Sequence, residues 1–316
     1  VSFSKDVKEE LSTQISQARH CRLAELSAIL SYDGKLIPVK HGYYLRLQTE
    51  SLVVARKYFT LIKKTFNINI EISIKIHSYH KENRIYSLIL RDTDSIIRIL
   101  QATKLIDGEL KDGDIGKANQ LIIQNACCKR AFIRGAYLSS GSMSNPKKTY
   151  HFEIVLSDYD KAVQLQEMIQ TFSIDAKIII RKKYYVVYIK EGSQIVDLLN
   201  VMEAHVALMN LENVRILKEM RNSINRQVNC EAANISKTVE AASKQIDDII
   251  YIRDNYGFGE LAEGLEEIAL LRIQHPEASL KELGAMLIPP IGKSGVNHRL
   301  RKLSMIADHL RENKEE

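Results

Sequence analysis

The first two-thirds of this 316-residue chain reads twice, and the repeat restricts what it can fold into more than any other feature. Thr65-Phe66-Asn67-Ile68 returns as Thr171-Phe172-Ser173-Ile174, 106 residues later (171 − 65). Each copy then enters an Ile-rich strand, at 70–76 and 176–180. Each is preceded by an amphipathic helix; in the second, Leu165, Met168, Ile169 and Phe172 stand at helical spacing. Second strands follow at 84–90 and 183–190, then short helices at 95–102 and 194–201. Upstream, a strand over 41–48, opened by His41, matches one over 149–156. Before each lies a helix rich in Ala, Ser, Leu and Ile that closes on Gly, at 22–34 and 129–141. The order per copy is helix, strand, room for a second strand, helix, two strands, helix. A duplicated α+β domain with pseudo-two-fold symmetry is the expectation, with chance likeness of two α+β segments as the alternative.

The remaining chain reads as connections and helices. Phe3, Val7 and Leu11 set an opening helix within 1–20, and the duplicated domain spans 21–202, with repeats at about 21–106 and about 129–202. Residues 107–120, rich in Gly, Asp and Lys, read as the loop between copies. From 203 to 259 a helical linker is expected: a helix over 203–229 carrying Arg215, Lys218, Arg221 and Arg226, a break at 229–234, and a helix over 236–255. Tyr256-Gly257-Phe258-Gly259 ends it. An all-α unit fills 260–316.

Composition excludes several classes. No apolar run approaches the roughly 20 residues of a membrane span, and the polar start at 1–11 does not read as a signal peptide, so a cytoplasmic protein is expected. Cys21, Cys127, Cys128 and Cys230 lack paired CxxC spacing and a histidine at zinc-site spacing; reduced thiols, no metal and no cofactor are expected. A net charge of +6 permits nucleic-acid binding without requiring it.

The helix that opens each copy carries a motif. Leu26-Ser27-Ala28-Ile29-Leu30-Ser31-Tyr32-Asp33-Gly34 resembles the one that names the LAGLIDADG homing endonucleases, and Ile133-Arg134-Gly135-Ala136-Tyr137-Leu138-Ser139-Ser140-Gly141 occupies the same place in the second copy. The resemblance implies two helices packed face to face, with Ala28, Gly135 and Ala136 allowing close approach. It also implies an acid before each final Gly, the pair holding divalent metal at the scissile phosphates. Asp33 stands at the first acid position and Ser140 at the second. A neutral hydroxyl is a poor ligand for a hard cation, so a two-metal clamp would lack half its charge. The reading preferred for Asp33 is a helix-ending Asp-Gly turn, ahead of a residual single-metal site or a polar contact to DNA or a partner. In that family paired sheets saddle the DNA; Lys147, Lys148, Lys177, Arg181, Lys182 and Lys183 are the candidate phosphate contacts, or simply a solvated hairpin tip.

The carboxy-terminal unit has sharper punctuation. Leu265, Ile268 and Leu271 stripe one helix, which His275-Pro276 ends. Ser279-Leu280-Lys281-Glu282 forms a capping box for a helix carrying Leu280, Leu283, Met286 and Leu287, stopped by Pro289-Pro290. A turn through Ile291-Gly292-Lys293 leads to Ser294 as the cap of the last helix, in which Val296, Leu300, Leu303 and Ala307 share one face. Asn297, His298, Arg301 and Lys302 fall opposite, Arg299 flanks the apolar stripe, and no acid occurs between Leu283 and Ala307; these five, with Lys293 and Ser294, are the candidate DNA contacts. That pattern suits a recognition helix: Arg and Asn can bond base edges in pairs, while Lys293 and Lys302 suit phosphates. A basic surface helix in a small bundle is the plainer reading.

Taken together, the segments RAFIRGAYLSSGSMSNP (130–146), NRQVNCEAANISKTV (225–239) and ASLKELGAMLIPPIGKSGVNHRLRKL (278–303) resemble the WhiA family of bacterial transcription regulators over nearly the whole chain. The resemblance implies a degenerate LAGLIDADG domain without nuclease activity, joined to a helix-turn-helix domain similar to that of sigma factors. It further implies a role in transcription tied to cell division or sporulation, with double-stranded DNA as partner at the nucleoid. A monomer suffices to build the saddle. An endonuclease with residual metal-dependent activity at Asp33 is the rival. A platform for another regulator or for RNA polymerase is a third reading.

Overall fold

The tetrapeptide that flags the repeat closes a helix in both copies. Asn67 (φ +58°) and Ser173 (φ +61°) both adopt the left-handed conformation, which Asn tolerates better than most side chains. The computed structural model describes residues 2–40, 42–76, 84–107, 110, 113–262 and 264–315. His41 and parts of the 107–120 connection therefore lie outside the described residues, as do Glu263 and Glu316 in the carboxy-terminal segment. The chain forms two units, Val1–Lys218 and Glu219–Glu316.

In the first unit α1 (Phe3–Thr13) precedes two matching series. The first is α2 (Arg19–Asp33), β1 (Lys35–Val39), β2 (Gly42–Thr49), α3 (Leu52–Phe66), β3 (Glu71–Ile76), β4 (Arg84–Leu90) and α4 (Thr93–Ala102). A short β5 (Gly113–Asp114) leads to the second: α5 (Ala126–Ser140), β6 (Gly141–Met143), β7 (Phe152–Leu156), α6 (Tyr159–Gln170), β8 (Lys177–Arg181), β9 (Tyr184–Ile189) and α7 (Gly192–Met202). The extra strand is present in each copy. The sheets run β3-β4-β2-β1-β5 and β8-β9-β7-β6, the same antiparallel order with β5 added to the first. Part of the expected loop thus becomes a strand, pairing Lys35 with Asp114 and Leu36 with Gly113.

α2 and α5 pack along one another at the centre of the main core. Their contact depends on small side chains: a Cβ on Gly135 would lie 2.5 Å from the Glu25 carbonyl oxygen and 3.0 Å from the Ala28 Cβ. Ala28 and Ala136 are fully buried beside it. One charged group crosses this seam. Glu25, itself buried, meets Lys57 at 2.9 Å and Arg134 at 3.3 Å, and Arg134 reaches on to Glu203 at 2.7 Å. Lys57 also donates to the carbonyls of Leu11 and Gln14, which fastens the end of α1 to α3.

The long helical segment corrects the expected break. α8 (His205–Asn255) is continuous through 229–234 and through the division at Lys218. It contains neither Gly nor Pro, and a few Asn residues cost only tenths of a kcal/mol each. Gly257 at φ +83° follows its end.

In the second unit, α9 (Leu265–Gln274), α10 (Leu280–Met286) and α11 (Lys293–Glu315) enclose a separate core. Leu265, Ile268, Leu283, Leu287, Val296, Leu300, Leu303 and Ala307 fill it, together with Ile249 and Ile252 from α8. The last turns of α8, read as linker from sequence, are therefore part of this unit. Arg311 on α11 pairs with the buried Asp248 at 2.8 Å, and Arg272 reaches Gln245 at 3.0 Å. Of the apolar residues that α10 carries, Met286 is 43% exposed.

Candidate nucleic-acid interface

The acid positions end the paired helices, so their surroundings follow from that pairing. Asp33 Oδ2 accepts a hydrogen bond from the Tyr58 hydroxyl at 2.6 Å. The same hydroxyl lies 3.3 Å from Ser139 Oγ, which donates to the Gly135 carbonyl at 2.9 Å. Burial pushes the Asp33 carboxyl up to about 6, against the opposing pull of Tyr58, Lys8 and Ser139. Lys8 comes from α1, whose Ser4 also bonds the Tyr137 hydroxyl and the Met143 amide. Across the seam Ser140 Oγ is buried and finds no hydrogen-bond partner among the described residues. One acid is thus engaged by protein groups and the other is a hydroxyl, a poor donor set for two hard cations.

The basic groups of the second sheet divide by their neighbours. Strand register puts Lys177 and Arg181 on the face away from the core, beside Glu153. Arg181 is paired with Glu153 at 3.1 Å, and Lys177 with Asp175 at 3.4 Å. Burial works against ionising Glu153, yet His151, Arg181 and Ser142 together hold its carboxyl below the usual range. Lys182 turns the hairpin at φ +57°, and Lys183 lies over the Tyr184 ring at 5.5 Å. Lys147 and Lys148 are exposed in the turn before β7.

α11 is built as its sequence spacing predicts. Val296, Leu300, Leu303 and Ala307 are each at most 1% exposed, while His298, Arg301 and Lys302 are exposed and Asn297 half-exposed. The capping box at Ser279 and Glu282 is present, with both reciprocal bonds made. The turn over 287–292 is tied to α10 by the Ile291 amide, which donates to the Gly284 carbonyl at 3.0 Å. A Cβ on Gly284 would collide with the Ile291 carbonyl, so only Gly allows this approach. Two details differ from expectation. The helix starts at Lys293, with the Gly292 carbonyl accepting from the Val296 amide, so Ser294 sits in the first turn and is not its cap. Arg299 is half-buried and donates to the Gly264 carbonyl at 3.2 Å, bracing α11 from within.

The fold also brings together residues that sequence spacing kept apart. His20 and Cys21 in the first turn of α2 meet Cys127 and Cys128 in the first turn of α5, their ligand atoms all within 4.8 Å of one another. The expectation of isolated thiols without a histidine partner is corrected by this geometry. The signal was in the repeat: the pairs are 107 residues apart (127 − 20 and 128 − 21), as are the closing glycines (141 − 34).

A duplicated LAGLIDADG-like α+β domain followed by a helix-turn-helix domain defines the class of this protein. Three domain descriptions match in order: the WhiA N-terminal LAGLIDADG-like domain over 19–106, the WhiA LAGLIDADG-like domain over 129–221 and the WhiA C-terminal HTH domain over 224–307. A probable cell division protein WhiA from Lachnoclostridium phytofermentans is 63% identical over 315 residues, covering 99% of this chain and 100% of the relative. One from Alkaliphilus oremlandii is 47% identical, covering 99% of both chains. The chain belongs to the WhiA family. The crystal structure of full-length WhiA from Thermatoga maritima shares the fold, with a TM-score of 0.58, 24% identity and coverage of 98% of this chain and 99% of that one. No helix among the described residues is long and apolar enough to cross a membrane.

Proposed function

We propose that this protein is a sequence-specific DNA-binding transcription regulator that does not cleave DNA. The observation that carries the reading is the first half of α11. Val296, Leu300 and Leu303 fix it on the core, which turns His298, Arg301 and Lys302 outward with Asn297 at their edge. No carboxylate between Leu283 and Ala307 opposes an approaching phosphate. Arg301 and Asn297 suit base edges; Lys293, Lys302 and the exposed Ser294 suit the backbone. Arg299, held by Gly264, positions the helix. The fit of such a helix to a major groove is that of other helix-turn-helix proteins.

The first unit adds affinity through Lys147, Lys148, Lys182 and Lys183, with Lys177 and Arg181 contributing once released from Asp175 and Glu153. Its nuclease inactivity rests on Ser140 and on the Tyr58 and Lys8 side chains that face Asp33. The names of the relatives connect this reading to cell division, and the family resemblance extends it to sporulation. Action is at the nucleoid in the cytoplasm, by a monomer, with another regulator or RNA polymerase as a protein partner.

Binding of fragmented genomic DNA by the full chain, with magnesium present, tests this against an Arg301→Ala, Lys302→Ala double variant. Selective binding that falls by at least about tenfold in the variant, with uncut DNA throughout, is the expected result; one lost base contact alone costs about 1–3 kcal/mol. Unchanged binding would move recognition off α11, and cut DNA would restore a nuclease at Asp33.

A further inference from the structure

His20, Cys21, Cys127 and Cys128 supply one imidazole and three thiols from two helices that the fold holds side by side. His20 Nδ1 lies 3.2 Å from Cys128 Sγ and 3.4 Å from Cys21 Sγ. In a tetrahedral zinc site, metal–sulfur bonds of about 2.3 Å and metal–nitrogen bonds of about 2.0–2.1 Å put neighbouring ligand atoms about 3.5–3.8 Å apart. The widest separation here, within 4.8 Å, needs to close by only about 1 Å. We propose that these four side chains form a zinc site, a closed Cys3His structural centre joining the two repeats at the amino ends of α2 and α5.

Several independent features suit that assignment. Cys21 and Cys128 are buried, whereas His20 and Cys127 are exposed and border a cavity of about 730 Å³ that gives an ion a way in. Three thiols this close cannot all ionise without strong mutual repulsion. A bound divalent cation reverses that balance, because each thiolate then offsets positive charge, and binding releases protons. Both helices point their first turns at the cluster, where their dipoles favour thiolates. Three thiolates, a neutral imidazole and zinc leave a net charge of about −1, and Arg130 lines the adjoining cavity. Soft sulfur donors select zinc over magnesium or calcium. With four protein ligands no position is left open for water, so the centre is structural.

The test uses the reduced, chelator-treated full chain titrated with zinc against a chromophoric chelator. One zinc per chain is expected, with three of the four thiols protected from a thiol reagent and only Cys230 still reactive. Cobalt in place of zinc should show thiolate-to-metal charge transfer and the visible bands of tetrahedral coordination. Because Cys21 and Cys128 are buried, the variants are Cys127→Ser and His20→Ala, both at exposed positions. Each should weaken zinc binding at least about 100-fold, since even an outer-shell change costs about 10–100-fold; Cys230→Ser should leave it unchanged. Substoichiometric uptake, an octahedral cobalt spectrum, or zinc affinity indifferent to Cys127→Ser would overturn the proposal. Zinc binding and DNA binding are separate readouts, so neither result depends on the other.

Discussion

Replacing Asp33 by Asn should stabilise the first unit, with a gain that grows as pH rises from 3.8 and is complete above about 6. The unfolded carboxyl loses its proton near its ordinary 3.8, whereas the folded one keeps it to about 6. Stability from the protonated acid is fully present below 3.8 and is lost as pH rises through about 6. About two units at about 1.4 kcal/mol each set an upper limit near 3 kcal/mol. Partial solvent contact reduces this to about 2 kcal/mol. The Asn carbonyl still accepts from the Tyr58 hydroxyl, so the substitution removes charge and little else. For a unit of this size that corresponds to a rise in Tm of about 4–8 °C at pH 8. Well below pH 3.8 the difference should vanish. All strands among the described residues lie in the first unit, so thermal loss of the β-sheet amide I signal reports its unfolding alone. A variant less stable than the parent at pH 8, or a difference independent of pH, would refute the reasoning. It would show that Lys8 and Tyr58 stabilise the carboxylate more than burial penalises it.

Three further substitutions probe the central seam by the same melt. Glu25→Gln leaves Lys57 and Arg134 buried without their common counter-charge and should cost about 3–5 kcal/mol. Adding Lys57→Met should recover part of that loss; strict additivity of the two changes would show that the pair does not interact. Gly135→Val must force the Glu25 backbone away and should destabilise by about 1–3 kcal/mol or more, whereas an unchanged Tm would mean that the helices separate freely.

Much of the duplicated domain was legible because its signals are local. A helix must close before the chain can turn, and Asn67, Ser173, Gly34 and Gly141 mark those closures in matching places. The face of α11 was legible for a related reason: period and charge agree over four turns. The cap of that helix was not, because a Ser next to a turn looks like a cap whether the chain enters the helix there or two residues earlier. The false break in α8 fell between Asn229 and Asn234, residues that cost a helix only mildly. The surroundings of Asp33 could not be read from spacing, and the His20 cluster only from the 107-residue register of the repeat. Tyr58 and Lys8 come from α3 and α1, and the sulfurs converge only once two helices more than a hundred residues apart are in register.

The ion pair across the seam has a consequence for how copies of this chain can associate. By repeat equivalence, Glu25 corresponds to Phe132 and Arg134 to Ser27 (132 − 25 and 134 − 27 are both 107). If α2 met a second α2, Glu25 would face a serine and lose its guanidinium. If α5 met a second α5, Arg134 would face a phenylalanine and lose its carboxylate. Either exchange would remove the partner across the seam, leaving Glu25 with Lys57 alone or Arg134 with Glu203 alone. A near-symmetric pair of halves thereby favours its own complement over a duplicate. During synthesis, the first half must wait for the second half of its own chain, or for the equivalent half of another, before its central helix is satisfied.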